Sequence, residues 1–190
     1  FVTWKQNGGD TVEFANSYGP TETAIVCTAY FTRKEKFNPE NYASLPIGRP
    51  LDNVTNYILD EHLNPVPIGV PGELYVGGKN VTRGYLKRPE LTAERFLPDP
   101  FSTKPGSVMY KTGDLVRFLN DGAIEYIGRA DLQIKIRGFR VELGEIEAML
   151  HDYTGVRECA VIAHDISQTD KVLLAYVTGS KSVDEAEIRS

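Results

Sequence analysis

Short β-prone runs that alternate with turn residues limit the fold of this chain more than any other feature of its sequence. Between residues 51 and 128 these runs are separated by Gly, Pro, Asn and Asp. Such spacing is typical of an antiparallel barrel or sandwich. The sequence therefore predicts antiparallel strands at Asn53–Leu59, Glu73–Val76, Leu115–Leu119 and Ala123–Ile127.

Two local signals add detail to this prediction. Asn120–Gly122 separates the last two strands, and its Asp-Gly pair supplies the positive φ angles of a tight hairpin turn. A short helix is predicted at Pro89–Phe96, because Pro89 suits a first helical position and Pro98 ends the helix. This helix interrupts the series of strands.

The pattern changes after Asp131, where a strand pair on either side of Arg137 and Gly138 leads into a helix and two more strands. The helix, Leu143–Asp152, has apolar residues on one face at Ile146, Met149, Leu150 and Tyr153. Two buried strands are predicted at Ala160–His164 and Val172–Val177, and another helix from residue 182. We therefore predict a domain boundary near Asp131, followed by a β-α-β-β unit that is cut off at its last helix.

Composition excludes several classes of function. The 190 residues carry a formal charge of −5 with no basic stripe for the phosphates of a nucleic acid. The sequence contains no signal peptide and no apolar run long enough to span a bilayer, so we expect a cytoplasmic protein without membrane partners. Cys27 and Cys159 lie in apolar surroundings, which is typical of buried free thiols in a reducing compartment.

The run Asn16–Thr23 concentrates groups that suit a nucleotide on one short loop. A purine could stack on the ring of Tyr18 while the Asn16 amide reads its polar edge. Thr21 could donate to a phosphate, and Glu22 offers a hard oxygen ligand for Mg²⁺. The alternative is a polar surface turn, since short motifs of this kind also arise by chance.

One later run, one aspartate and one arginine complete the set of informative positions. Gly72–Gly78, which continues to Tyr85, is interpreted as a strand, a glycine turn and a packing aromatic without a catalytic group. Asp114 stands at the head of a strand, where a short carboxylate can accept from both hydroxyls of a ribose. The planar guanidinium of Arg129 suits phosphate oxygens, and its alternative is a surface ion pair with a nearby carboxylate.

Together with Tyr110–Leu115 and the long run Gly128–Glu147, these motifs resemble those of adenylate-forming enzymes, most closely nonribosomal peptide synthetase adenylation domains. The resemblance extends over essentially the whole chain and matches the C-terminal portion of such a domain. It implies a mixed α+β fold, in which residues 1–130 form the end of an α/β layer and a distorted antiparallel β-barrel of the large core subdomain. Residues 131–190 would form a hinge and a small, truncated α+β C-terminal subdomain.

The resemblance implies specific contacts with ATP and Mg²⁺. Tyr18 would pack on adenine, Asn16 would bond the adenine amino group, and Asp114 would hold the ribose. The full set of residues that would line the nucleotide and its metal ion is Asn16, Tyr18, Gly19, Thr21, Glu22, Asp114, Tyr126 and Arg129.

The resemblance also implies catalytic and substrate-binding roles. Glu22 would bind Mg²⁺, Thr21 would contact the α-phosphate and Arg129 would lie beside the phosphates, and these three are the catalytic candidates. The wall of the amino-acid pocket would include Ser17, Ile25 and Val26. Ordinary core packing is the alternative for the last two.

The same resemblance assigns residues after the boundary to movement and to carrier binding. Asp131 would be the hinge about which the small subdomain rotates. Arg137 and Gly138 would lie at the channel entered by the phosphopantetheine arm of a carrier protein. The helix start is different, because its carboxylates are interpreted as a solvated face favoured by the helix dipole: Glu142, Glu145 and Glu147.

The implied function is ATP-dependent adenylation of an amino acid and its transfer to a peptidyl carrier protein, with neighbouring synthetase domains as further partners. The alternatives are an acyl- or aryl-CoA synthetase, which the run Lys135–Arg140 disfavours, and a catalytically silent interaction module. The family's phosphate-binding loop and its adenylation lysine do not occur in this sequence, which does not begin with Met. We expect both, with the N-terminal part of the domain, to lie outside it, and the chain alone to be inactive.

Overall fold

A computed structural model describes residues 13–32, 44–130, 134–136, 139–166 and 171–179. Contacts between residues divide the chain into two compact units, Phe1–Ala130 and Asp131–Ser190. In the described ranges, no helix combines the length and the apolar character needed to cross a membrane. The helix predicted from residue 182 lies outside the described residues.

In its described residues, the first unit contains two antiparallel sheets and one short α-helix, α1 (Pro89–Arg95). The smaller sheet pairs its strands in chain order: β1 (Ala15–Tyr18), β2 (Thr28–Phe31) and β3 (Arg49–Pro50). The larger sheet has five strands: β4 (Val54–Leu59), β5 (Gly72–Gly78), β6 (Phe96–Pro98), β7 (Val108–Phe118) and β8 (Ile124–Arg129). Its order is β4-β5-β7-β6, with β8 also paired to β7.

The long strand β7 gives the larger sheet its curvature. It pairs with β5, and also with β6 near its start and with β8 near its end. The pairing with β8 shifts register between Leu115 and Val116, and Gly113 has a φ of +75°. Because such irregularities bend a strand, the sheet curls into a half-barrel. This confirms the predicted barrel piece, while the predicted end of an α/β layer stays a prediction.

The main core of the first unit lies against one face of this curled sheet. The strands contribute alternate apolar side chains, each worth about 1.5–3 kcal/mol on burial. Two further members, Cys27 and Ile47, come from the segments that flank the smaller sheet. The strand residues of the core are Ile58, Leu74, Val76, Val116 and Ile124.

Backbone hydrogen bonds join the two sheets next to β3. Ile47 donates to the Ile124 carbonyl over 2.8 Å, and Ile124 donates to the Gly48 carbonyl over 2.8 Å. These bonds tie the start of β3 to β8. They help to hold the smaller sheet close to the bulged part of β7, which is where the candidate site lies.

The predicted hairpin is confirmed, with one correction. Leu119 donates to the Ala123 carbonyl over 2.8 Å, so the loop has three residues. All three residues of this loop are described, and only Gly122 has a positive φ, +83°. Both residues of the Asp-Gly pair were expected to have a positive φ. Asp121 instead accepts from the Ala123 N–H with its side chain at 3.0 Å. A three-residue loop needs a single left-handed residue, which explains the difference.

The part of the second unit that the structure describes combines four strands with one helix. The strands pair as two hairpins: β9 (Ile134–Ile136) with β10 (Phe139–Val141), and β11 (Val156–Asp165) with β12 (Lys171–Gly179). Between the hairpins lies α2 (Leu143–His151), which packs on β11. The core that they share is Leu143, Leu150 and Val161.

Two predictions of burial in this unit are wrong. Met149 was expected on the apolar face of the helix but is 77% exposed, because the residues that face β11 are Leu143, Ile146 and Leu150. The paired strands β11 and β12 were expected to be buried, yet Tyr176 is 59% exposed. A two-stranded sheet that one helix covers keeps an outer face, which the apolar runs alone did not indicate.

Glu147 also departs from the prediction of a solvated helix face. Its Oε1 accepts from the Val161 N–H at 2.8 Å, and its carbonyl accepts from the Cys159 thiol at 3.2 Å. Glu147 therefore ties α2 to β11 through both side chain and backbone.

Cys27 should resist thiol reagents in the folded protein. Its side chain is fully buried, and burial raises the pKa of the thiol to about 11. Since the raised pKa favours the neutral form, only about one thiol in a thousand is ionised at pH 8, and thiolate is the reactive species. We expect alkylation at pH 8 to modify the half-buried Cys159 well before Cys27, as measured by mass spectrometry of peptides. Equal rates at both positions in native protein would contradict the buried position of Cys27.

Candidate active site

Strand β1 carries two residues that were predicted to bind a nucleotide, and both lie on the same face of the strand. Side chains alternate along a strand, so Asn16 and Tyr18 share one face and Ser17 lies on the other. Asn16 and Tyr18 are half-buried, while Ser17 is exposed. The run Asn16–Thr23 was predicted as one loop. This is wrong for its first half, because pairing with β2 makes these residues a strand.

Asp114 lies at the centre of the site. Its carboxylate is 6% exposed, and its Oδ1 accepts from Arg129 Nη1 at 3.0 Å. Its Oδ2 accepts from the hydroxyl of Tyr18, which is 96 positions away in the sequence. The Asp114 N–H is held by the Thr112 hydroxyl at 3.0 Å. Backbone and side chain of this residue are therefore both fixed.

The Tyr18 hydroxyl is a permanent donor in this cluster. Burial raises the pKa of Tyr18 far above its usual value, and the neighbouring negative charge of Asp114 raises it further. The phenol therefore stays protonated at neutral pH. An ionised carboxylate has about four lone-pair positions, so Asp114 retains acceptor capacity after bonding Tyr18 and Arg129.

The Asn16 amide is oriented by the loop that precedes β3. Its Nδ2 donates to the Pro46 carbonyl at 2.8 Å and to the Leu45 carbonyl at 3.3 Å. With both amide hydrogens directed at backbone carbonyls, the group that Asn16 can offer to a ligand is its acceptor, Oδ1.

A short 3-10 turn, Thr21–Thr23, follows β1 and carries the next two candidates. Thr21 is exposed, whereas the Glu22 side chain is buried at 7% exposure. Glu22 Oε1 accepts from the Tyr85 hydroxyl at 2.6 Å. Burial, followed by this hydrogen bond, raises the pKa of Tyr85 well above its usual value, so Tyr85 also acts as a donor.

The chain after this turn is held in an unusual conformation. Ile25 has a φ of +74°, a value that β-branched residues rarely adopt, and its side chain is 73% exposed. A Cβ on Gly19 would lie 2.6 Å from the Ile25 carbonyl oxygen, so only glycine fits there. Val26 is half-buried. The core packing that was the alternative for Ile25 is therefore excluded by its exposure.

The remaining predicted residues fall into two groups. Arg129 forms an ion pair with the carboxylate of Asp114, as its alternative expected, but the pair is mostly buried, with 20% exposure of the arginine side chain. Its role beside the phosphates stays a prediction. Tyr126 lies on β8 and is 37% exposed. The hinge and carrier-channel candidates lie outside the described residues: Asp131, Arg137 and Gly138.

Two residues of this site were missed by sequence reasoning. Tyr85 was interpreted as a packing aromatic, but it bonds Glu22. Glu73 accepts from the Gly113 N–H at 3.0 Å and so supports the bend beside Asp114. The signal that could have identified Tyr85 is its hydroxyl, since a buried tyrosine usually bonds a polar partner.

Comparison with known proteins shows which proteins this chain resembles. The model of the family described as "AMP-binding enzyme" matches residues 2–86. One of the linear gramicidin synthase proteins of Brevibacillus parabrevis is 52% identical over 178 residues, which is 93% of this chain. Over residues 2–86 the chain is similar to the AMP-binding enzymes. It spans only 2% of the length of that gramicidin synthase protein.

Two solved structures have a fold similar to that of this chain. An artificially fused adenylation–PCP di-domain from Klebsiella oxytoca has a TM-score of 0.71 at 28% identity, with 93% of this chain and 32% of that chain covered. A four-domain nonribosomal peptide synthetase bound to AMP and glycine has a TM-score of 0.55 at 40% identity, with coverages of 92% and 13%. The predicted resemblance to peptide synthetase adenylation domains is confirmed.

Proposed function

We propose that this chain forms the nucleotide-binding part of an enzyme that adenylates an amino acid and transfers it to a carrier protein. The carboxylate of Asp114 is the observation that carries this proposal, because it is bonded by Arg129 and by Tyr18, which lies just before the turn that carries Glu22. The similarity to peptide synthetases supports it.

The adenosine would lie on the face of β1 that carries Asn16 and Tyr18. The acceptor Oδ1 of Asn16 suits the amino group of adenine, and the Tyr18 ring offers a surface on which adenine can stack. The lone pairs that remain on Asp114 would accept from the two ribose hydroxyls. Tyr126, on the strand that also carries Arg129, would flank the ribose.

The residues present also fit a Mg²⁺ ion. Mg²⁺ in nucleotide sites is held by one or two carboxylates together with phosphates of the substrate, and Glu22 supplies a buried, oriented carboxylate. The bound ion would neutralise charge on the phosphates. Thr21, exposed at the start of the same turn, would donate to the α-phosphate.

The proposed reaction needs alignment more than covalent participation by the protein. The amino-acid carboxylate attacks the α-phosphorus, the bond to pyrophosphate breaks, and an acyl–phosphate bond forms. The chain holds the nucleotide so that the attacking and leaving oxygens are in line, and Arg129 would stabilise the charge that develops. The carrier thiol then attacks the acyl carbon and AMP leaves.

The residues proposed to bind the amino acid and the carrier are assigned from the family resemblance and from their positions in the chain. Ile25 is exposed and held by the strained turn after Glu22, so we propose that it and its neighbours contribute to the pocket wall: Ser17, Ile25 and Val26. We further propose that residues 1–130 belong to the core subdomain and that residues 131–190 form the small subdomain, with Asp131 as hinge and Arg137 and Gly138 at the carrier channel.

Amino-acid-dependent exchange of pyrophosphate into ATP by the full-length protein tests this function. We expect exchange with one or a few members of an amino-acid panel, and then a thioester on the carrier, measured by mass spectrometry. Formation of an acyl-CoA from a simple carboxylic acid and CoA would support the CoA synthetase alternative instead. Absence of both reactions would support the silent module.

Glu22→Gln should lower the exchange rate by about 10-fold or more at low Mg²⁺, with partial recovery at high Mg²⁺. The substitution keeps the size of the side chain but removes the charge that would hold the ion. The measurement is exchange rate against Mg²⁺ concentration. Glu61→Gln is the matched control, because the Glu61 side chain is 87% exposed on a distant loop. Equal rates for wild type and Glu22→Gln at every Mg²⁺ concentration would show that Glu22 is not a Mg²⁺ ligand.

A further inference from the structure

The segment that follows β5 holds the Glu22 turn at three points. The Thr82 N–H donates to the Glu22 carbonyl at 2.9 Å, and Asn80 Nδ2 donates to the Thr23 carbonyl at 3.0 Å. The Tyr85 hydroxyl donates to Glu22 Oε1 at 2.6 Å. The Gly72–Tyr85 motif, which sequence reasoning treated as purely structural, therefore contacts both the backbone and the carboxylate of the candidate metal ligand.

Tyr85 is itself well fixed. Its N–H donates to the Thr92 hydroxyl of α1 at 2.9 Å, and its ring meets Phe96 edge-on with centroids 5.5 Å apart. Gly84 has a φ of +124°, and a Cβ there would lie 2.3 Å from Thr92 Cγ2. These contacts determine where the hydroxyl points, so the hydroxyl can determine how the carboxylate is oriented.

We propose that Tyr85 is a positioning residue that orients the Glu22 carboxylate for the metal and phosphate site, an inference that rests on the proposed function. Rotation about the last side-chain bond of glutamate is only weakly restricted. A short hydrogen bond to one oxygen fixes the plane of the carboxylate and hence the direction of its lone pairs. Partners of this kind typically change metal affinity or activity by about 10–100-fold when removed.

Tyr85→Phe in the full-length protein tests this inference. The variant keeps the ring and its contact with Phe96 but loses the donor to Glu22. We expect the apparent Kd of Mg²⁺ for the ATP-bound protein, measured by calorimetric titration, to rise by about 10-fold or more. The Mg²⁺ concentration that gives half-maximal pyrophosphate exchange should rise by the same factor, with the rate recovering at saturating Mg²⁺. Tyr57→Phe is the matched control, since its hydroxyl also bonds a carboxylate, that of Asp99 at 3.2 Å, and neither residue is a candidate site residue. Its Mg²⁺ dependence should equal that of wild type.

A double variant separates positioning from general packing. If Tyr85 acts through Glu22, adding Tyr85→Phe to Glu22→Gln should leave the Mg²⁺ dependence of the single Gln variant nearly unchanged. An unaltered Mg²⁺ dependence in Tyr85→Phe, a loss of rate that saturating Mg²⁺ does not restore, or additive effects in the double variant would each overturn the proposal. Wild-type protein that shows no exchange would contradict the proposed function itself, and this is seen before any variant is compared.

Discussion

Asp114→Ala is expected to weaken ATP binding to the full-length protein by about 100-fold or more. In the proposed site the carboxylate accepts from two ribose hydroxyls, and each such bond to a charged acceptor contributes about 1.5–3 kcal/mol. Since each ~1.4 kcal/mol corresponds to a tenfold change in affinity, the two bonds together exceed about 100-fold. Calorimetric titration with ATP measures the effect.

The control for this variant must separate binding from stability. Removing one partner of a buried ion pair costs about 3–5 kcal/mol, so Asp114→Ala also destabilises the fold around Arg129 and must be titrated well below its melting temperature. Asp121→Ala, on the hairpin loop, should bind ATP like wild type.

Deoxynucleotides provide the more specific comparison. Wild type should bind 2′-deoxy-ATP more weakly than ATP, and Asp114→Ala should bind both equally. If the variant still discriminates between the two nucleotides by the wild-type factor, Asp114 does not contact the 2′-hydroxyl.

Gly48→Ala is expected to destabilise the first unit by about 2–5 kcal/mol. A Cβ at this position would lie 1.9 Å from the Ala29 carbonyl oxygen, and Gly48 has a φ of +92°. The backbone clash costs about 1–3 kcal/mol through displaced structure, and the left-handed conformation adds about 1–2 kcal/mol for alanine. Scanning calorimetry should show the melting transition of this domain shifted down by roughly 10 °C.

Gly69→Ala is the matched control for Gly48→Ala. Gly69 also has a positive φ, +82°, but no atom lies within 4 Å of the Cβ that would be added. Gly69→Ala should therefore lower the free energy of unfolding by only about 1–2 kcal/mol, which is the cost of the left-handed conformation for alanine. Equal destabilisation of both variants would mean that Gly48 is not in close contact with β2.

Features that depend on neighbouring residues were predicted well from the sequence. The hairpin at Asn120–Gly122 and the helix that starts at Pro89 follow from residues with restricted or unusual φ values, and these act within a few positions. The strands flanking the hairpin follow from the same turn chemistry. Local conformation is therefore encoded where it occurs.

Pairings between distant segments were not predictable in the same way. The bond between Tyr18 and Asp114 spans 96 positions, and that between Tyr85 and Glu22 spans 63. Nothing local to Tyr85 specifies which carboxylate its hydroxyl will meet, because that depends on how the segment after β5 passes the turn after β1. The motif resemblance identified Tyr18, Glu22 and Asp114 as members of one site but not the bonds among them.

Burial in the second unit was mispredicted for a related reason. Apolar spacing indicates that a face can be buried, but the partner determines which positions are covered. Met149 has the right spacing, yet β11 meets the helix at Leu143 and Leu150 and leaves Met149 exposed. Glu147 shows the converse, since a charged residue is drawn inward by the backbone N–H of Val161.

A structure of the full-length protein bound to AMP and its amino acid tests the central claim most directly. The account predicts both ribose hydroxyls within hydrogen-bond distance of the Asp114 carboxylate, adenine against the Tyr18 ring, and the adenine amino group at Asn16 Oδ1. It further predicts that the Tyr18 and Arg129 bonds to Asp114 persist beside the ribose. A nucleotide bound elsewhere, with Asp114 enclosed only by Tyr18 and Arg129, would contradict the account.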